Sequence, residues 1–191
     1  VDPTSGKHWQ ELIDLDSWVK KYLIEEIFAN MDGNRLSQFF YMDGGDPSGK
    51  IIAGPVWDYD FALGGEAYWM CNFPSYMIMG KTYREDEIIL PMFYELNAKP
   101  EFQKRLAEIY EETYLPELEK ITQTELDAYF AKIERASLAN AARWDIPADG
   151  VYRDADFIRT FLQRRVGFLS DLWITGTEYH LVCVENTGVY R

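Results

Sequence analysis

Residues 30–60 read NMDGNRLSQFFYMDGGDPSGKIIAGPVWDYD, and within them two apolar runs are separated by a loop rich in turn residues. The first run is Phe39–Tyr41 and the second is Ile51–Trp57, while the loop contains glycines, aspartates and a proline. Such a loop between two strand-like runs is typical of a β-hairpin. Pro55 marks an edge position or the end of the second strand, because proline cannot donate a hydrogen bond to a sheet.

A helix is predicted immediately upstream of this hairpin, where apolar residues recur at helical spacing. They are Leu15, Val19, Tyr22, Leu23 and Ile27. Asp14 or Asp16 can cap the helix, and its end is expected between Asn30 and Gly33. The charged residues between the apolar positions are predicted to form the other, polar face: Lys20, Lys21, Glu25 and Glu26.

The segment from Asp58 to about Glu87 has no regular pattern but is apolar, so we expect an ordered loop that packs down. A long loop of this kind in a compact domain is usually functional. Residues 87–173 then show helical patterns, with these predicted starts: near Glu87, at Pro100, at a capping box Thr122–Glu125, and at Asp154. Residues 178–185 are a candidate terminal strand. The helical patterns together with the hairpin predict a fold of the α+β class that is mostly helical.

Length and composition place limits on the class of protein. A chain of 191 residues predicts one domain, and 47% hydrophobic residues argue against disorder. The net charge of −13 argues against partners that are nucleic acids or anionic membrane surfaces. No apolar run approaches the ~18 residues that a membrane span needs. Cys71 and Cys183 leave two alternatives open, a single disulfide or two buried thiols.

The order of the acidic residues around the hairpin is typical of a catalytic site. Asp32 follows the helix, Ser37 comes five residues later, and the second strand leads into Asp58 and Asp60. The catalytic half of a protein kinase has this order: a catalytic Asp, a metal-binding Asn five residues later, and a hairpin that delivers a metal-binding Asp. Phosphoryl transfer needs one carboxylate to deprotonate the acceptor hydroxyl. It needs another to hold the metal that offsets phosphate charge.

The order alone leaves other interpretations open. The segment Asp32–Asn34 can be a simple turn after a helix, and Asp58 and Asp60 can cap the end of a strand. A calcium or glycan site could also use Asp43, Asp46, Asp58 and Asp60, with aromatic rings stacking on sugars, although the loop from Asp43 to Gly49 does not have the spacing of an EF-hand. Paired carboxylates would also fit a glycosidase. The distance between the two carboxyl groups would test that interpretation.

Several stretches of the chain, in order, resemble the CotH kinase family, named for spore coat protein H. They are Ile13–Val19 leading into Glu25-Glu26, Asn30–Gly33, Ser37–Tyr41 and Gly54–Gly64. The close match covers about residues 12–65. The helical remainder, residues 87–173, fits a kinase C-lobe but carries no sharp motif.

This resemblance implies an atypical protein kinase, secreted or at the cell surface, that uses ATP with Mg or Mn to phosphorylate Ser or Thr of a protein. The family's catalytic Asp falls on Asp32 and its metal-binding Asp on Asp58. Asp60 and Asn34 are weaker metal candidates. Ser37 stands where ordinary kinases have a metal-binding Asn, and its hydroxyl is a weaker ligand than an amide oxygen.

The resemblance further implies that residues 1–191 are a single-domain fragment, a kinase-like C-lobe with a small hairpin beside the catalytic loop. An N-lobe is expected to precede Val1, and the fragment alone is expected to be inactive and to bind ATP weakly or not at all. A second function is also implied, because the family includes cell-surface adhesins. The chain could then be a non-catalytic interaction module. The aromatic loop Tyr68–Tyr83 would be either its binding face or part of the core.

Overall fold

Helix α2, Leu15–Phe28, is a central helix of the fold, because the hairpin and two of the later helices pack against it. Asp14 caps it by accepting a hydrogen bond from the Ser17 N–H, which confirms one of the two predicted caps. The helix ends two residues before the predicted limit at Asn30, because Ala29 adopts a left-handed backbone with φ of 51°. This early end leaves Asn30 and the residues after it to form a separate turn.

The computed structural model describes residues 1–30, 32–34, 36–42, 44, 49–64, 74–75, 77–79, 91–146 and 150–177. The helices are α1 Trp9–Leu12, α2, α3 Pro91–Asn97, α4 Pro100–Ile109, α5 Leu115–Lys120, α6 Leu126–Trp144 and α7 Gly150–Trp173. Two π-helical segments, Tyr110–Tyr114 and Ile121–Glu125, join α4, α5 and α6. With the two short strands described next, the described part of the chain is α+β and mostly helical, as predicted.

The predicted hairpin is present. Strand β1, Phe40–Met42, pairs antiparallel with strand β2, Ile51–Ala53, so that Phe40 lies opposite Ala53. Strand β2 is shorter than the predicted run to Trp57, because it ends before Gly54 and Pro55, which confirms the expectation for that proline. The residues that follow β2 therefore lie outside the sheet, where their side chains and backbone can serve a site.

The hairpin is fixed to the start of α2 by hydrogen bonds and by ring stacking. The Ile51 carbonyl accepts from the Asp14 N–H at 3.0 Å and from the Trp18 ring N–H at 2.9 Å. The Trp18 ring also stacks on Phe40, with centroids 4.8 Å apart. These contacts set the position of the hairpin relative to the end of α2.

The core lies between α2, α4 and α7 and is rich in aromatic side chains. Its fully buried members include Trp18, Tyr22, Leu23, Ile27, Phe93, Phe102, Leu106, Tyr110, Leu162 and Leu169. Tyr22 meets Phe102 edge to face at 5.6 Å, a geometry that adds to the apolar burial. The stripe predicted for α2 therefore lies in or against the core, whereas the stripe predicted at Leu126, Tyr129, Phe130 and Ile133 of α6 does not, since Tyr129 is 60% exposed.

Two predictions in the helical half are wrong. Thr122 does not begin a helix, because the chain is helical without interruption from Pro100 to Trp144 and the Thr122 hydroxyl donates back to the Leu118 carbonyl at 2.9 Å. The last helix begins at Gly150 and not at Asp154. The start at Pro100 agrees with prediction, and α3 covers Pro91–Asn97, while the expected start near Glu87 lies outside the described residues.

Some expectations fall outside the described residues. These are the candidate strand 178–185, both cysteines, and most of the aromatic loop Tyr68–Tyr83. Within the described part of the 58–87 segment, Ala62 and residues 77–79 are buried, so these positions pack down as expected. None of the described helices has both the length and the apolar character needed to cross a membrane.

The prediction that Lys20, Lys21, Glu25 and Glu26 form an exposed polar face of α2 is largely wrong. Lys20 is exposed, but the other three residues are buried. The Glu26 carboxylate accepts from the N–H groups of Ile78 at 2.9 Å and Met79 at 2.5 Å. Burial of these charges is tolerated because each has a partner of opposite charge or hydrogen-bond donors.

Arg165 of α7 is the cationic partner of Glu26. Its guanidinium lies 2.7 Å from the Glu26 carboxylate and also donates to the Glu26 carbonyl at 2.8 Å and to the Pro74 carbonyl at 2.7 Å. Burial lowers the pKa of Arg165, and the Glu26 carboxylate opposes this change. This pair therefore joins α2, α7 and the segment around residues 74–79.

We predict that Arg165→Met lowers the free energy of unfolding by about 3–5 kcal/mol, because it leaves the buried Glu26 carboxylate without its cation. Arg105→Met is the matched control, since Arg105 forms a half-exposed pair with Asp16 at 2.7 Å. That change should cost less than about 1 kcal/mol. Urea unfolding of both variants measures the difference, and equal losses would contradict the assignment.

Candidate functional site

The turn that carries Asp32 is built directly on the end of α2. The Asn30 N–H donates to the Glu25 carbonyl at 3.0 Å, and residues Asp32–Asn34 then form one turn of 3₁₀ helix. The Asp32 carbonyl accepts from the N–H groups of Leu36 at 2.9 Å and Ser37 at 3.1 Å. Asp32 and Ser37 are thus held side by side, and Asp32 is only 7% exposed.

Ser37 connects this turn to the segment that follows the hairpin. Its hydroxyl donates to the Asp58 carboxylate, with Oγ and Oδ2 separated by 3.0 Å. Ser37 is buried whereas Asp58 is exposed, so the joined pair lies at the protein surface. The structure therefore brings Asp32, Ser37 and Asp58 into one neighbourhood, as the order of residues predicts.

Asp58 has a strained backbone. Its φ of 66° lies in the left-handed region, which costs roughly 1–2 kcal/mol for a residue other than glycine. Aspartate tolerates this region better than most residues, and such strain clusters at functional sites. The conformation turns the chain sharply where the Asp58 carboxylate meets Ser37.

Of the two weaker candidates, Asp60 is not part of this arrangement. Asp60 lies in an exposed turn and makes no hydrogen bond or ion pair with another residue that the structure describes. Asn34 closes the 3₁₀ turn, and its side chain lies outside the described part of the structure. The geometry thus separates Asp58, which is joined to Ser37, from Asp60, which is not.

The donor set suits a hard divalent cation that is held only in part by the protein. Among the described residues, no three acidic, histidine or cysteine side chains converge on one point. The Asp58 carboxylate and the Ser37 hydroxyl supply adjacent oxygen atoms. Mg²⁺ commonly takes one or two carboxylates and completes its shell with water and phosphate oxygens. The residues present therefore fit Mg or Mn accompanied by a nucleotide, rather than a cage made only of protein.

A buried ion pair lies beneath the site. Lys21 Nζ is 2.5 Å from Glu25 Oε1, and both side chains are almost fully inaccessible. Lys21 also donates to the Pro55 carbonyl at 3.3 Å, between strand β2 and Asp58. The pair thus reaches from α2 to the segment that leads into the site.

The Glu25 carboxylate fills the space beside Gly33. A Cβ atom at residue 33 would lie 1.9 Å from Glu25 Oε2, so any larger residue there requires the Glu25 carboxylate to move. Burial raises the pKa of Glu25, while Lys21, Tyr59 and Asn30 oppose the rise. Burial and the neighbouring Glu25 carboxylate raise the pKa of Tyr59, so its hydroxyl stays protonated.

The sequence interpretation missed Lys21 and Glu25 as residues of the site and assigned them to the polar face of a helix. Two signals were nevertheless present. Lys21 and Glu25 are four residues apart, the spacing of an ion pair along one helix face. Glu25-Glu26 also belongs to the stretches that resemble the CotH kinase family. Periodicity alone cannot show that this face of α2 is covered by the turn at Gly33.

The comparison with protein families agrees with the geometry. A family model described as CotH kinase protein matches residues 4–169. The chain belongs to the CotH kinase protein family. The matched range contains α2, the turn at Asp32, the hairpin and Asp58 of this CotH-family chain, and it extends into α7. No curated protein and no solved structure matches the chain significantly.

We predict that Gly33→Ala destabilises this CotH-family chain by about 1–3 kcal/mol, because the new methyl group overlaps the Glu25 carboxylate, which its ion pair holds in place. Gly44→Ala is the matched control, since a Cβ atom there meets nothing within 4 Å. The control should change stability by less than about 0.5 kcal/mol. Thermal or urea unfolding checks both, and a neutral Gly33→Ala would show that Glu25 can move away.

Proposed function

We propose that this CotH-family chain carries the catalytic part of an atypical protein kinase that transfers phosphate from ATP to Ser or Thr of a protein. One observation carries the proposal: the Ser37 hydroxyl binds the Asp58 carboxylate at 3.0 Å, while the Ser37 N–H binds the Asp32 carbonyl. This residue therefore joins the two acidic segments that phosphoryl transfer would use.

In this proposal Asp32 orients the acceptor hydroxyl and takes its proton. Asp58 holds Mg or Mn with help from Ser37, and its exposed carboxylate is accessible to a nucleotide. A divalent cation there would offset the negative charge of the phosphates. Asp32 is largely buried, which suits a base that acts on a positioned hydroxyl rather than on bulk water.

The arrangement of elements supports a kinase-like C-lobe, with a hairpin beside the catalytic turn and a helical remainder. Large apolar side chains are exposed on and next to the hairpin: Leu36, Phe39, Tyr41, Met42, Val56 and Trp57. Exposed apolar groups so close together favour contact with further protein. An N-lobe over the nucleotide would provide that contact and would bring the phosphate-binding groups that complete a kinase.

The competing candidate is a non-catalytic surface module that uses the same apolar side chains to bind a partner. Trp57 is 59% exposed and meets Phe39 edge to face at 5.9 Å, a pair that could anchor a protein ligand. The two functions differ in what they require of Asp32. A kinase needs its carboxylate, whereas adhesion through the hairpin does not.

We predict that Asp32→Asn and Asp58→Asn each lower phosphate transfer by the full-length protein at least about 100-fold, because one removes the base and the other a metal ligand. Asp60→Asn is the matched comparison, two residues beyond Asp58. It should keep most of the activity. Incorporation of labelled phosphate from ATP into Ser or Thr measures all three. Activity that persists in both Asp32→Asn and Asp58→Asn would refute the kinase proposal. Saturable partner binding with no labelling by the full-length protein would favour the surface module.

For the chain of residues 1–191 alone, we predict weak ATP binding or none in the presence of Mg²⁺. The described site offers carboxylates and a hydroxyl, which do not themselves attract an anion. Isothermal titration with ATP and Mg²⁺ tests this. A micromolar dissociation constant would contradict the need for an additional lobe.

A further inference from the structure

Glu25 touches the two segments on which the candidate site depends. On one side its carboxylate lies against Gly33, the residue immediately after Asp32. On the other side it lies beside Tyr59, the residue immediately after Asp58, whose pKa it raises. The Glu25 carboxylate therefore touches the neighbour of Asp32 and lies near the neighbour of Asp58, Tyr59, whose hydroxyl makes no hydrogen bond with another described residue.

Lys21 adds a second link from the same helix. Its ammonium group pairs with Glu25 at 2.5 Å and donates to the Pro55 carbonyl at 3.3 Å. Pro55 lies three residues before Asp58 in the chain. The backbone on both sides of Asp58 thus faces the Lys21–Glu25 pair, and the left-handed backbone of Asp58 lies between these two supports.

Stability alone does not account for an ion pair at this place. A buried pair of charges is often no more stabilising than apolar side chains of similar volume. The adjacent Glu26 is equally buried, but its carboxylate binds Arg165 and the N–H groups of residues 78 and 79. Glu25 and Glu26 therefore share burial and charge, while the described contacts of Glu25 are the ones that include Gly33, next to Asp32.

We propose that Glu25 is a positioning residue for phosphoryl transfer, which holds the Asp32 turn through Gly33 and the Asp58 segment through Tyr59 and Lys21. This inference rests on the proposed kinase function for its catalytic consequence. Its structural part, the fixing of the turn, can be tested without activity.

The first test measures amide hydrogen exchange by NMR in the chain of residues 1–191. Leu36 and Ser37 donate their N–H groups to the Asp32 carbonyl, so their exchange rates report on the turn. Glu25→Gln should speed exchange at these two amides about tenfold, which corresponds to roughly 1.4 kcal/mol of local stability. Glu26→Gln, the matched control, should instead speed exchange at Ile78 and Met79.

The second test measures kinetics with the full-length protein, with rates expressed per folded molecule. Glu25→Gln should lower kcat by about 10- to 100-fold with the KM for ATP changed less than about threefold, as expected when a supporting residue misplaces a catalytic one. Glu26→Gln should leave both constants within about threefold of the unaltered protein. Tyr59→Phe, which removes one hydroxyl and keeps the ring, should lower kcat in the same direction by a smaller factor.

Each outcome is decisive for the positioning role. If Glu25→Gln leaves the exchange of Leu36 and Ser37 unchanged, the turn does not depend on Glu25 and the inference is overturned. If Glu25→Gln fails to fold, Tyr59→Phe replaces it in both tests, and unchanged exchange with unchanged kcat refutes the role. If the unaltered full-length protein transfers no phosphate, the proposed function fails, while the exchange result still decides whether Glu25 fixes the turn.

Discussion

Burial of a carboxylate costs several kcal/mol unless a cation or hydrogen-bond donors surround it, and helix α2 buries two in succession. Glu25 pairs with Lys21 beneath the turn at Asp32, and Glu26 pairs with Arg165 of α7. Because consecutive residues of a helix point in directions about 100° apart, the two carboxylates serve different surroundings. Glu25 lies against the turn at Gly33 and Glu26 joins α2 to α7, so α2 contacts both the turn and the helical half of the fold.

Two close contacts hold together the segments of the candidate site. Gly33 approaches Glu25 so closely that a side chain fits only if the Glu25 carboxylate moves, and Ser37 reaches the Asp58 carboxylate at 3.0 Å. The strained backbone of Asp58 is tolerated because Lys21 holds the Pro55 carbonyl on one side and Glu25 lies beside Tyr59 on the other. The chain belongs to the CotH kinase protein family, and a phosphoryl-transfer site built from Asp32, Ser37 and Asp58 is our proposal.

Particular elements show where prediction from sequence succeeded. Asp14 caps α2, Pro100 begins α4, and the glycine-rich loop joins two antiparallel strands, because caps, proline and turn residues act through local geometry. The errors arose where distant packing decided the result. Thr122 and Glu125 match a capping box, yet continuous packing of the helical half keeps the chain helical through both residues. In the sequence, Lys21 and Glu25 fit a solvent-exposed helix face. In the structure both are buried, and the turn at Gly33 lies against Glu25.

The sequence by itself predicted the hairpin and the central helix, since these follow from order, spacing and local propensity, and its resemblance to the CotH kinase family pointed to Asp32, Ser37 and Asp58 as candidate site residues. Only the tertiary structure decided that Ser37 binds Asp58, that Asp60 lies apart, and that Glu25 adjoins both segments of the site. Hydrogen bonds and ion pairs form between side chains that are distant in the chain. Their partners are therefore set by how α2, the turn and the hairpin pack together, which no local pattern encodes.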